Sequence, residues 1–265
     1  MINVAQKSPK ISLVVTTHSR PAQLSIALQS IIDQTFHNFE IVLVSDEGSQ
    51  ETKLIAANFL REYDRFFVLP EINGPSEART FGMHNATGDW ICFLDDDDFL
   101  ERSFLENVEQ NLDDHNALYY TNYKNFYGKN HELGLRVEEE YIVDNSKKKI
   151  EELYVENFIP IHSFFISGAI AKQVTFDTEL DSLEDWDFLL NVLHKFKLNF
   201  THLDVSGPVI CRDSDQLKRG MTDAGTKALN YLSIYRKRRS PEEPISVNRS
   251  THLSLLGLGI PPELI

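Results

Sequence analysis

The first hundred residues alternate between two hydrophobic periods. Ile11 to Val15 is a short β-branched run with the signature of a buried strand. Pro21 suits the first turn of a helix, and Leu24, Ala27, Leu28, Ile31 and Ile32 then repeat at helical spacing. The same alternation predicts strands at 40–44, 66–69 and 90–94, with helices at 50–62 and from the Asn73-Gly74-Pro75-Ser76 turn to Gly88. Strand-helix alternation of this kind implies a mixed, mostly parallel α/β sheet flanked by helices.

The second half is less regular. The pattern predicts a helix at 104–114, strands at 117–123 and 159–166, and an apolar helical stripe through Trp186, Leu189, Leu190 and Leu193. Residues 124–149 are polar and read as a solvated hairpin or loop. Residues 223–238 read as a helix ending in Arg236-Lys237-Arg238-Arg239, and the chain from Ser240 onward as an extended tail. The expected organisation is one domain over 1–222, in two halves at about 10–100 and about 101–222. A carboxyl-terminal helix and tail follow over 223–265.

Composition narrows the functions. The chain of 265 residues carries 26 Lys+Arg against 40 Asp+Glu, a net charge of −14. That balance argues against a nucleic-acid partner, which needs clustered basic residues. Two cysteines give no disulfide framework, and Met1 to Lys10 lack the apolar core of a secretory signal. No stretch reaches the roughly 18 apolar residues of a membrane span. A cytoplasmic location is expected. The basic run at 236–239 reads first as a helix end whose dipole favours cations, with peripheral contact at the inner membrane face as the alternative.

The informative acidity is local. In a parallel α/β sheet, ligands bind beyond the carboxyl ends of the strands. Three polar clusters fall there: Thr16-Thr17-His18, Ser45-Asp46-Glu47-Gly48 and Asp95-Asp96-Asp97-Asp98. Neighbouring carboxylates repel one another unless a cation neutralises them, and hard oxygen ligands suit Mg²⁺ or Mn²⁺ with positions left open for substrate phosphates. One aspartate would suffice to cap the following helix; four exceed that need. An aspartyl-phosphatase nucleophile would follow the first strand of its fold, whereas about three strand-helix units precede this run. Neither Gly-x-Gly-x-x-Gly nor a Gly-Lys-Ser/Thr loop is present.

The stretches ISLVVTTHSRPAQLSIALQSIIDQTFHNFEIVLVSDEGS, NGPSEARTFGMHNATGDWICFLDDDDFL and FDTELDSLEDWDFL together resemble the family 2 inverting glycosyltransferases, over about residues 11–100 and 176–190. The resemblance implies a GT-A fold and transfer of a sugar from a nucleotide-diphosphate sugar, a UDP-sugar first, to a glycan or lipid-linked glycan. It implies that Thr16, Arg20, Asp46, Glu47 and Arg79 face the nucleotide, Glu47 standing where the family has aspartate. Asp95 would hold ribose or a metal-bound water, with Asp96 beside it, and Asp97 would bind Mn²⁺ or Mg²⁺ directly. Asp185 would be the general base and Glu184 would orient the acceptor; capping of the following helix is the plainer role for both. Trp186 reads as core, and His162 as acceptor-side or core. The alternatives are a sugar-nucleotide nucleotidyltransferase, which wants a glycine-rich loop after the first strand, and a nucleotide-sugar-binding protein without catalysis.

Overall fold

A computed structural model describes residues 9–69, 74–131, 134–213, 224–239 and 243–265. The extreme amino terminus, Asn73 of the predicted turn, residue 223 and the first residues of the predicted tail, 240–242, lie outside the described residues. The amino-terminal half follows the predicted alternation: β1 (Ile11–Thr17), α1 (Pro21–Ile32), β2 (Phe39–Ser45), α2 (Gln50–Phe59), β3 (Arg65–Val68), α3 (Pro75–Asn85) and β4 (Trp90–Asp95). All seven residues of β1 and of β2 are buried, as expected of strands covered on both faces. Val14, Val42 and Phe93 pack into the core on one face, while Leu13, Val15, Ile41 and Leu43 pack against α1 on the other. Gly82 lets α3 lie close on the sheet, since a Cβ there would meet Val14 at 2.5 Å.

The second half adds three strands to this sheet, of which the hydrophobic pattern did not resolve the last. The sheet order is β10-β6-β9-β4-β1-β2-β3, with β6 (Ala117–Thr121), β9 (Phe164–Ser167) and β10 (Asn199–Leu203). Only β9 runs antiparallel to its neighbours. The strand predicted from 159 begins later, because Pro160 opens a 3-10 turn over Ile161–Ser163. The helix predicted at 104–114 is a shorter α4 (Phe104–Glu109).

The polar stretch 124–149 is largely a hairpin, β7 (Tyr123–His131) and β8 (Gly134–Val143). It belongs to a second sheet, β5-β11-β7-β8, with β5 (Phe99–Leu100) and β11 (Pro208–Asp213). Lys124 pairs with Glu101 and Glu140 on one face of that sheet. The remaining helices are α5 (Gly168–Ala171), α6 (Glu184–Phe196), α7 (Ala224–Lys237) and α8 (Glu243–Leu255).

The expected extended tail is corrected by α8. Pro244 falls in its first turn, where a missing N–H costs nothing, and Ile245 and Leu253 are buried against the core. The buried Arg249 fixes this packing. Its Nε, Nη1 and Nη2 donate to the carbonyls of Tyr154, Tyr235 and Arg238 at 2.7, 3.2 and 2.7 Å. The Tyr235 and Arg238 carbonyls belong to the end of α7, where helical partners run out. Arg249→Leu would orphan all three carbonyls, at a cost of about 2–4 kcal/mol. Thermal denaturation is expected to show a fall in Tm of roughly 5–15 °C, and an unchanged Tm would contradict this reading of the clamp.

The basic run at the end of α7 is divided in use. Lys237 pairs with Asp177, and Arg238 with the buried Asp187. Arg236 and Arg239 are exposed. Among the described residues no helix is long and apolar enough to cross a membrane.

Candidate active site

Strand register assembles the site. β1 lies parallel between β2 and β4, with Thr17 level with Ser45 and Thr16 level with Asp95. The three predicted polar clusters therefore emerge at one rim, and they bond to one another. Thr16 Oγ1 donates to Asp95 at 3.3 Å, and Thr17 Oγ1 to Asp96 at 2.7 Å. The His18 backbone N–H also donates to Asp96, while the His18 ring meets Asp46 at 2.8 Å. Ser19 donates to Glu47. Gly48 closes the β2 turn at φ 58°, in the left-handed region, and a Cβ there would strike Val68 at 2.2 Å.

The aspartates have different surroundings. Asp95 accepts from Arg79 Nη2 at 2.8 and 3.0 Å. Burial alone would raise its pKa, but Arg79 and His162 outweigh that and hold the carboxyl well below the usual range. Asp96 is buried against Thr17 and Arg20, and burial pushes its pKa up. Asp97 is half-exposed and meets Arg20 at 2.5 Å. Burial and the neighbouring Asp98 push its pKa up to about 6. Asp98 is buried and accepts from the Cys211 backbone N–H at 2.7 Å, which ties the second sheet to the aspartate turn.

His162 completes this group. It reaches the rim from the 3-10 turn before β9, with Nε2 at 2.7 Å from Asp98 and 3.3 Å from Asp95. Neither ring nitrogen makes an aligned hydrogen bond, although both are buried. Burial would lower its pKa; Asp98 and Asp95 outweigh that and raise it to about 10. Among the described residues, Asp95, Asp98 and His162 form a group whose potential ligand atoms lie within 4.8 Å of one another. Two carboxylates and an imidazole so placed could hold a divalent cation once the imidazole gives up its proton, and the nitrogen would favour Mn²⁺ over Mg²⁺.

Asp98 and His162 were not among the ligands expected from sequence. Asp98 was hidden because the Asp-x-Asp register fits the first three aspartates equally well. His162 carried no signal, since it is 64 residues from the run and only the fold brings it there.

Arg79 links the two halves of the site. It is 5% exposed, so it is no surface ion pair, and it sits between Asp95 and Glu184, which accepts from Nη1 at 2.5 Å. Glu184 and Asp185 open α6. The residue before them, Leu183, is held at φ 65°, a conformation that costs a non-glycine residue roughly 1–3 kcal/mol. Asp185 accepts from the Trp186 backbone N–H at 2.7 Å, so it caps as expected. Burial and the adjacent Glu184 push its pKa up to about 6, into the range of a working base. Trp186 is fully buried and its indole donates to the Leu153 carbonyl, as core rather than as a platform.

Residues 12–174 match the sequence profile described as glycosyl transferase family 2. An uncharacterized glycosyltransferase of Rickettsia typhi is 24% identical over 96% of this chain and 80% of its own length. A GalNAc(5)-diNAcBac-PP-undecaprenol beta-1,3-glucosyltransferase of Campylobacter jejuni is 34% identical, over 38% of this chain and 34% of its own length. S. aureus TarS 1–349, solved in complex with UDP-GlcNAc, superposes with a TM-score of 0.60 at 19% identity, covering 92% of this chain and 71% of that one. The mannosyltransferase PcManGT from Pyrobaculum calidifontis, solved with GDP-Man and Mn²⁺, gives a TM-score of 0.61 at 14% identity, over 96% and 71% of the two chains. The chain belongs to glycosyl transferase family 2 and is an enzyme built on the GT-A fold.

Proposed function

We propose that the protein moves a sugar from a nucleotide-diphosphate sugar, a UDP-sugar first, to a hydroxyl of a glycan or lipid-linked glycan, with inversion at the anomeric carbon. The observation that carries this reading is the Asp95–Arg79–Glu184 bridge, which sets one carboxylate pair against the metal-ligand group and leaves Asp185 as the next carboxylate along α6. The nucleoside would lie over Thr16, Asp46 and Glu47, with Arg20 and Asp96 beside the ribose and diphosphate. Asp95, Asp98 and His162 would hold a divalent cation, with Asp97 as a further ligand at the open rim. When bound, the cation offsets the charge of the leaving diphosphate.

Asp185 takes the proton of the acceptor hydroxyl, and Glu184, fixed by Arg79, orients that acceptor. The hydroxyl oxygen bonds to the anomeric carbon on the face opposite the diphosphate. The bond from that carbon to the phosphate oxygen breaks, and the nucleoside diphosphate leaves. One displacement inverts the configuration. A lipid-linked acceptor would bring this chemistry to the cytoplasmic face of the inner membrane.

A screen of UDP-glucose, UDP-N-acetylglucosamine, UDP-galactose and GDP-mannose for Mn²⁺-dependent release of nucleoside diphosphate tests the reading. Turnover of a UDP-sugar is expected; the absence of both turnover and binding for all four would overturn the reading. The pH dependence adds a second check. A general base works only when deprotonated, so activity should fall as pH drops below about 6 and level off above it. A rate that stays flat down to pH ~5 would remove Asp185 from the role.

A further inference from the structure

The segment bearing Glu184 and Asp185 is held along one side by α7. Asn230 donates to Ser182 at 2.7 Å. Lys237 pairs with Asp177. Arg238 donates from Nε and Nη2 to the two oxygens of Asp187 at 2.8 and 2.9 Å, and from Nη1 to Asn191 at 3.0 Å. The Tyr231 and Tyr235 rings lie 5.0 and 5.6 Å from Trp186. These contacts fall at 177, 182, 186, 187 and 191, on both sides of the Glu184–Asp185 pair.

Away from α7, the start of α6 is held by Arg79 through Glu184, by Asp185 on the Trp186 N–H and by the Trp186 indole on the Leu153 carbonyl. The N-cap, Leu183, makes no side-chain cap bond and sits in the left-handed region. Arg238 balances the charge of the buried Asp187 carboxylate, as a lysine could. What the planar guanidinium adds is geometry: a bidentate bond fixes the direction of the Asp187 carboxylate, and with it the rotation of the first turn.

We propose that Arg238, supported by Asn230 and Lys237, is a positioning residue for transfer, setting the angle at which the first turn of α6 presents Asp185 to the acceptor. This rests on the reading of Asp185 as the base. It also gives the carboxyl-terminal helices a part in the chemistry, beyond completing the core.

The test compares Arg238→Gln, Arg238→Lys, Arg61→Gln and Asp185→Asn with wild type, using Mn²⁺ and either UDP-glucose or UDP-N-acetylglucosamine as probe. Arg238→Gln is expected to lower kcat about ten- to a hundredfold, the scale of a small misplacement. Donor KM and the stoichiometry of UDP binding should stay at wild-type values, so the loss belongs to each active molecule. Arg238→Lys should recover part of it by restoring the charge without the fork. Arg61→Gln breaks a half-buried pair with Asp64 at the far end of the sheet and should cost stability while sparing kcat.

Hydrogen exchange needs no turnover, and Arg238→Gln should raise it over residues 177–190 while sparing β1 and β4. Unchanged exchange there, or wild-type kcat, would overturn the inference. Wild-type transfer by Asp185→Asn would instead overturn the reading of the base, which keeps the two failures distinct.

Discussion

Asp185→Asn is expected to leave Mn²⁺-dependent UDP binding intact and to slow sugar transfer about 10²–10⁴-fold, the usual contribution of a positioned general base. Asparagine has nearly the same shape and can still accept the Trp186 N–H at the head of α6, so the cap survives. What it loses is the capacity to take a proton. Asp185 is suited to that task because burial and Glu184 raise its pKa to about 6, so it is ionised at neutral pH and still basic enough to share the hydroxyl proton. Glu184 does not replace it, because Arg79 occupies that carboxylate. Steady-state transfer beside calorimetric UDP binding separates the two functions. Wild-type rates in the variant would contradict the assignment.

His162→Ala is expected to lower Mn²⁺ affinity by at least about ten- to a hundredfold, the loss seen even for partners one shell further out. With that affinity should go the metal-dependent part of donor binding. Asp95 and Asp98 each have other bonds, to Arg79 and to the Cys211 N–H, so neither moves to fill the gap. In the proposed ligand set the imidazole would supply the nitrogen that distinguishes Mn²⁺ from Mg²⁺, and discrimination between the two cations should fall with it. Asp97→Ala, at the open rim, is expected to weaken metal-dependent donor binding as well. Calorimetric titration with Mn²⁺ checks both, and unchanged affinity in His162→Ala would contradict the ligand set.

Much of the rim where the donor is proposed to bind was legible in the sequence because local patterns determine its fold. A β-branched run followed by Pro21 at helical spacing fixes β1 and α1 without distant contacts, and parallel register then forces Thr16, Asp46 and Asp95 to one rim. The acceptor side was legible only in part. β10 is a five-residue strand with mixed burial, and β5 has two residues, too short for a period to show.

Charge pairing was not legible where it depends on the fold. Lys237 and Arg238 neutralise Asp177 and Asp187, and only the packing of α7 on α6 brings these groups together. The second helix of the carboxyl terminus was missed because prolines weigh against helices except in the first turn, which is where Pro244 lies.

The most direct test of the central claim, that this acidic rim is a metal-dependent nucleotide-sugar site, is calorimetric titration of the wild-type protein with UDP in the presence and absence of Mn²⁺. The geometry of Asp95, Asp98 and His162 predicts saturable UDP binding that tightens at least about tenfold when Mn²⁺ is present. UDP binding of the same strength with and without the metal, or none in either case, would contradict it.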